Sequence, residues 1–404
     1  MGIFKKDKDI KNDINQYFKE NGINYNCKSS DINDILVDFI IENDLYKLNI
    51  LLKYAKRNCI KLDIDEIEGR NYYPLLNAIN NDNTNMVKEL INYCNENSIK
   101  LNCNKQDKSN GWYPILRAIY NNNIDIIKLL IDYSNEIGIQ LNLTNKDNFG
   151  NSPFLIAIGK NNIEILELII EYANQNNIAF EVNEKGEGGD YPLLNSIICN
   201  NYKIVKLLIN YANEKNTILT INEKNQAGDY PLLIAVLKNN YDIVKLLIEY
   251  ANINNISLIV NDKDKILKNY PILEAVNNNE EDIVKILINY AIHNNIKLEL
   301  VEKNKNQDYP LLQAINKNNI KIVKLLVEYA SENNIILNLN ENDIYDTSKL
   351  YSKTLHILHK YERAGKINLN FSEHSFFLNK FSELDKRSKD KSEKENIEKE
   401  KVNY

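Results

Sequence analysis

Only seven prolines punctuate the 404-residue chain, and they fall on one beat. They stand at Pro74, Pro114, Pro153, Pro192, Pro231, Pro271 and Pro310, at intervals of 40, 39, 39, 39, 40 and 39 residues. Tyrosine precedes six of them (Tyr73, Tyr113, Tyr191, Tyr230, Tyr270 and Tyr309), and Ser152 precedes Pro153. A fixed period of about 20 to 50 residues is the signature of stacked repeats, in which each unit buries its apolar face against its neighbours. A length that would otherwise suggest about two or three globular domains therefore reads as an array growing along one dimension.

The unit around Pro231 shows the local logic. Proline suits the first position of a helix, where its missing N–H would have no partner. A short helix is predicted to follow, carrying Leu232, Leu233, Ala235 and Val236. Asn239-Asn240 ends it, because asparagine tolerates the left-handed conformation of a helix C-terminus. A second helix then presents Ile243, Val244, Leu246, Leu247, Ile248 and Tyr250 at the helical period. Asn254-Asn255 and the alternating stretch 256–260 predict an extended arm and a hairpin-like loop before the next unit.

The other units align without gaps from the proline to a tyrosine nineteen residues later: Tyr93, Tyr133, Tyr172, Tyr211, Tyr250, Tyr290 and Tyr329. Four residues after each proline stands a small residue, Ala78, Ala118, Ala157, Ser196, Ala235, Ala275 or Ala314, which allows close approach between neighbouring short helices. These columns read as packing, and none is assigned to chemistry. The heavy use of Asn, Ile, Lys and Tyr reads as compositional bias, and Asn abundance carries little structural weight at this stage.

The pattern Gly-x-Tyr-Pro-Leu-Leu-x-Ala, followed by Asn-Asn-x-x-Ile-Val-Lys-Leu-Leu-Ile, resembles the ankyrin repeat, with its Gly-x-Thr-Pro-Leu-His-x-Ala and Val-Val-x-Leu-Leu-Leu. It recurs seven times in phase from residue 69 to about residue 340. The resemblance implies an all-α solenoid of stacked helix pairs with extended inter-repeat loops. It also implies a non-enzymatic protein-interaction scaffold. HEAT and armadillo repeats share the period, but about eight residues between proline and the Asn-Asn break are too few for their first helix.

The departures from the family pattern are specific. Tyrosine replaces the capping threonine and cannot cap well, so Asp190, Asp229, Asp308 and Asn269, just before it, are expected to take over. Leucine or isoleucine packing replaces the hydrogen bonds of the family's histidine. The glycine three residues before the proline is present at Gly111, Gly150, Gly189 and Gly228 but gives way to Asn71, Lys268 and Gln307. Each unit exceeds the usual length of about 33 residues by roughly six. The surplus falls in the Ala-Asn-x-Asn-Asn-Ile-x-Leu stretch and predicts a longer second helix or a longer arm.

Domain organisation follows from the ends. Residues 1–30 form an N-terminal segment with an amphipathic helix expected around Ile10, Ile14 and Phe18, and 31–68 a degenerate capping repeat without proline. The seven repeats span 69–345, a degenerate C-terminal cap 346–384, and a charged tail 385–404.

Several functions are disfavoured. A net charge of −6 argues against a nucleic-acid backbone as main partner. Five scattered cysteines suggest reduced thiols, and no apolar run reaches the roughly 18 residues of a membrane span. The N-terminus lacks a secretory core, so cytoplasm or nucleus is expected. Met1-Gly2 opens like a myristoylation signal, but Lys6 stands where Ser or Thr belongs. His356, His359 and His374 lack a matching ligand set for a metal, and nucleophile-elbow and phosphate-loop motifs are missing. No cofactor, metal or catalytic residue is assigned, and a monomer is expected.

In ankyrin-like arrays the concave surface is built from loop tips and the exposed side of the first helices. The positions two before and six or seven after each proline are its counterparts here. They give Tyr72, Trp112, Tyr120, Ile198 and Leu237 as candidate partner-binding residues. The alternative is an adaptor in which residues 1–30 or 372–404 engage a membrane or an assembly factor while the repeats target it.

Overall fold

The computed structural model describes residues 7–25, 31–67, 72–340 and 352–370, with the single positions 343 and 382. Met1-Gly2, Asn71, His374 and the expected tail 385–404 lie outside them. Two compact units divide between Cys199 and Asn200, in the turn separating the two helices of the Pro192 repeat.

The first unit opens with α1 (Asp7–Glu20), α2 (Ile32–Ile41) and α3 (Leu45–Arg57). The pairs α4 (Pro74–Asn80) with α5 (Thr84–Glu96), α6 (Pro114–Tyr120) with α7 (Ile124–Ile137), and α8 (Pro153–Gly159) with α9 (Ile163–Gln175) follow, and α10 (Pro192–Ile198) closes it. The second unit begins with α11 (Tyr202–Glu214). It continues with α12 (Pro231–Leu237), α13 (Tyr241–Ile253), α14 (Pro271–Asn277), α15 (Glu281–His293), α16 (Pro310–Asn316) and α17 (Ile320–Glu332). It ends with β1 (Leu337–Asn340), α18 (Ser352–Arg363) and β2 (Ile367–Asn370).

Each proline is thus the first residue of a seven-residue helix. Within the first unit the short helices stack in the order α4, α6, α8, α10, and the long ones in the order α3, α5, α7, α9. In the second, α12, α14, α16 and α11, α13, α15, α17 do the same. The small residue four after each proline is fully buried where the short helices meet, and Ser196 satisfies its hydroxyl on Leu193 O at 2.7 Å. The fold is an all-α repeat solenoid, with one two-stranded parallel sheet in which Leu337 faces Ile367.

The Asn-Asn pair between the helices does more than stop the first. Its first member is left-handed, as at Asn122, Asn200, Asn239 and Asn318. Its second caps the long helix: Asn240 accepts the Ile243 N–H at 3.0 Å. The same side chain donates to Asn200 of the preceding repeat at 2.8 Å, as Asn162 does to Asn122 and Asn319 to Asn279, both at 2.9 Å.

The two tyrosine columns are hydrogen-bonded clamps. Tyr329 Oη accepts the Leu298 N–H and donates to Ile296 O in the preceding arm, both at 3.0 Å. Tyr93 holds Leu62 N (3.3 Å) and Ile60 O (2.8 Å) in the same way. The tyrosine before the proline reaches forward instead: Tyr113 donates to Asn145 O at 2.9 Å, Tyr230 to Asp262 O at 2.8 Å and Tyr270 to Glu302 O at 2.7 Å. The surplus residues of each repeat are shared between both predicted places. Ala251–Ile253 complete α13, and 254–258 form its left-handed stop at Asn255 and the start of the arm.

Each arm ends in a hairpin. An Asp or Asn at its base accepts the N–H of the residue two before the proline: Asp107 from Trp112, Asp147 from Asn151, Asn225 from Asp229, Asp264 from Asn269 and Asn304 from Asp308. Gly186 holds this place before Pro192, its N–H donating to Asp190 O at 2.8 Å. From each proline to the next hairpin base is 33 residues without exception (74 to 107, 114 to 147, 153 to 186, 192 to 225, 231 to 264, 271 to 304). The alternation of 39 and 40 lies wholly in the tip. The longer tips, 108–111 and 265–268, reach the following hairpin, where Asn148 N donates to Asn110 O and Lys305 N to Leu267 O, both at 2.9 Å.

The tyrosines before the prolines contribute no side-chain cap, whereas Ser152 caps Leu155 N at 3.1 Å. The expected replacement caps behave differently in two repeats. Asp308 takes the Gln313 amide and Asn269 donates to Glu274, each reaching a side chain on the first turn. At the N-terminal end Ile14 and Phe18 of α1 are buried, with Phe18 5.6 Å from the Phe39 ring, and α1 packs on α3.

Candidate partner-binding site

A seven-residue helix that turns its first, second, third, fifth and sixth residues inward leaves the fourth and seventh to face a neighbouring hairpin. In α6 these are Arg117 and Tyr120. Tyr120 and the adjoining hairpins bound a cleft of about 560 Å³ in the first unit, lined by Trp112, Tyr120, Phe149, Leu155, Ile156 and Lys160 among others, and Arg117 stacks on two of its rings. The hairpins are held rigidly: Asp147 accepts the N–H groups of Phe149 at 2.9 Å and Asn151 at 2.8 Å, so the Phe149 ring is displayed on a fixed turn.

The aromatic and cationic groups stack. The rings of Trp112 and Tyr120 have centroids 5.7 Å apart with planes at 30°. The Arg117 guanidinium carbon lies 4.1 Å from the Trp112 ring and 5.0 Å from that of Tyr120, and Lys160 Nζ is 3.8 Å from the Tyr120 ring. Cations over aromatic faces gain from the ring quadrupole, more so where water is displaced. Burial lowers the Arg117 pKa from its ordinary value, while Tyr120, Asp107 and Asp82 oppose it. The group stays charged at physiological pH.

Of the residues expected from sequence, Trp112 and Tyr120 come together at this cleft. Tyr120 is 45% exposed and Trp112 half-buried. Ile198 is half-buried at the end of α10 and does not line it. Leu237 belongs to the second unit, where it is 47% exposed at the end of α12. Tyr72 is half-buried away from the cleft; among the described residues its buried hydroxyl meets no hydrogen-bond partner, and that burial, with Asp38, pushes its pKa well up.

Two residues here are not singled out by sequence: Phe149 (51% exposed), which lines the cleft, and Arg117, which stacks on its Trp112 and Tyr120 rings. The signal for Arg117 was a variable column inside an otherwise uniform helix: Asn77, Arg117, Ile156, Asn195, Ile234, Glu274 and Gln313 stand three after the prolines. Phe149 sits at a hairpin tip, where the repeats also differ. Elsewhere, among the described residues, no group of His, Cys, Asp and Glu is arranged to hold a metal. Cys94 and Cys103 are free and buried, and burial pushes both thiols up to about 12.

A family model described as ankyrin repeats (three copies) matches residues 7–140, 75–179, 176–257 and 256–337. Among solved structures, the crystal structure of the ankyrin repeat domain of Bcl-3, a unique member of the IkappaB protein family, is similar to this chain. The match is at 16% identity with a TM-score of 0.39, over 55% of this chain and 87% of that one. No curated protein matches this sequence.

Proposed function

This chain belongs to the ankyrin-repeat family, whose repeats are generally protein-interaction modules, and on that premise we propose that it is a non-enzymatic scaffold that docks a protein segment in the cleft of its first unit. One observation carries the choice of cleft. Trp112, Tyr120 and Phe149 present aromatic surface around about 560 Å³ of concave space on turns fixed by hydrogen bonds. Exposed aromatic residues grouped on a rigid frame are what an interaction hot spot requires, because little ordering entropy is lost on binding.

The ends of the chain are the less favoured site. The apolar residues Ile14 and Phe18, which an amphipathic anchor would offer a membrane, are buried against the chain itself. Among the described residues no helix is long and apolar enough to cross a membrane. Cytoplasm or nucleus is the proposed compartment.

A photo-crosslinking amino acid at Phe149, in extract of the source organism, is expected to yield protein adducts. The same group at the exposed Glu171 of α9 is not. Tyr120→Ala should abolish those adducts with only a small shift of the melting curve, since that side chain is 45% exposed and touches surface groups. Equal adducts from both positions, unaffected by Tyr120→Ala, would remove the cleft from consideration.

A further inference from the structure

Resting on the protein-binding reading above, we propose that Arg117 and Lys160 receive the carboxylate of an acidic residue in the bound segment, whose neighbouring apolar side chain lies against Trp112, Tyr120 and Phe149. The ground is an unmatched charge. Arg117 Nε is buried and meets no hydrogen-bond partner, and among the described residues its guanidinium makes no ion pair. The nearest carboxylates are engaged elsewhere. Asp107 accepts the N–H groups of Ser109 (2.8 Å), Asn110 (2.6 Å) and Trp112 (3.2 Å), and Asp82 accepts the Asn123 amide at 2.8 Å. Lys160, over the Tyr120 ring at 3.8 Å, likewise makes no ion pair among the described residues.

Two carboxylates line the same cleft. Asp147 closes its hairpin, and Glu187 belongs to the hairpin two repeats on from Trp112. Neither is paired with Arg117 or Lys160. A guanidinium stacked on rings keeps its N–H donors in its plane, and their fork matches a carboxylate. A partly desolvated cation without an anion is unfavourable, and an incoming carboxylate relieves it. A basic segment would bring a third positive charge to two that lack counter-ions. The chain's net charge of −6 gives no long-range attraction for an acid, so the preference arises by contact at this site.

The test uses the purified full chain and a phage-displayed library of random twelve-residue peptides. Enriched peptides are expected to carry Asp or Glu beside an aromatic or aliphatic residue. A synthetic copy of the most enriched one is then the probe. Arg117→Gln, which places at this column the residue that α16 already carries as Gln313, should weaken the acidic probe about tenfold or more. The Glu→Gln version of the probe should bind both chains alike. Lys160→Gln serves as second variant should Arg117→Gln fail to fold, and Arg117→Lys should restore part of the affinity.

Enrichment of neutral or basic peptides, or acidic probes held equally by wild type and Arg117→Gln, overturns the carboxylate assignment while leaving a peptide site in place. Peptides indifferent to Phe149→Ala and Tyr120→Ala, or a selection that enriches nothing, overturn the cleft itself.

Discussion

Single residues in this protein are chosen for backbone conformation as much as for side chain. The position three before the proline is left-handed at Gly111 (φ 71°) and Gly150 (φ 84°), and also at Lys268 (φ 62°) and Gln307 (φ 68°). The sequence pattern reads the last two as losses of the family's glycine, but the backbone keeps the glycine conformation without the glycine. An L-residue in that region costs about 1–2 kcal/mol, part of which glycine returns through its freer unfolded chain. Gln307→Gly is therefore expected to raise stability by about 0.5–1 kcal/mol, read as a higher urea midpoint at unchanged slope. Glu274 gives the opposite case of a side chain at odds with its surroundings. Burial raises its carboxyl pKa, with Asn269 partly opposing through a hydrogen bond. A carboxyl whose folded pKa lies above its unfolded one destabilises the fold once pH exceeds the unfolded value. Glu274→Gln should thus be more stable than wild type at neutral pH, the gap closing as pH falls below the usual glutamate range, in paired thermal melts.

At the scale of helices and arms, the decisive contacts join places about thirty residues apart. Tyr329 offers both the donor and the acceptor capacity of its hydroxyl to the backbone of the arm before it. Tyr329→Phe keeps the ring packing but leaves the buried Leu298 N–H unpaired, an expected cost of about 1–3 kcal/mol. Faster hydrogen exchange at Leu298 should accompany it. This reach also marks what was legible in the sequence. Helix starts, lengths and apolar faces follow from local rules at Pro231 or Asn240, and the structure follows them closely. The tyrosine columns were legible as burial but not as clamps, because a hydroxyl's partner on a neighbouring repeat leaves no local trace. Asparagine abundance reads as composition in the sequence, yet Asn240 and Asn319 each cap a helix and tie it to the previous repeat. At the cleft, Trp112 and Tyr120 were visible by column and residue type. Arg117 was not, since its importance comes from the rings it stacks on.

For the molecule as a whole, repeat stability is a sum of units and their interfaces, so an error of register propagates to every contact between neighbours. The 33 residues from each proline to the next hairpin base carry the tyrosine clamps of the long helices, the asparagine ties and both helices. The few residues from there to the following proline carry the tip and, next to the proline, the forward-reaching tyrosine. One residue inserted within 305–307 should barely move the unfolding midpoint, because tip 265–268 already has that length. The same insertion between Leu298 and Leu300 would misplace the N–H groups that meet Tyr329 and Asn261, and a broad, lowered transition is expected in urea. Chain length is thus free to drift only at the hairpin tips. A lineage, or a protein engineer, can rewrite the tips at 108–111 and 148–150, which flank the cleft, while every helix keeps its neighbour, and under the proposed binding role that would change what is recognised.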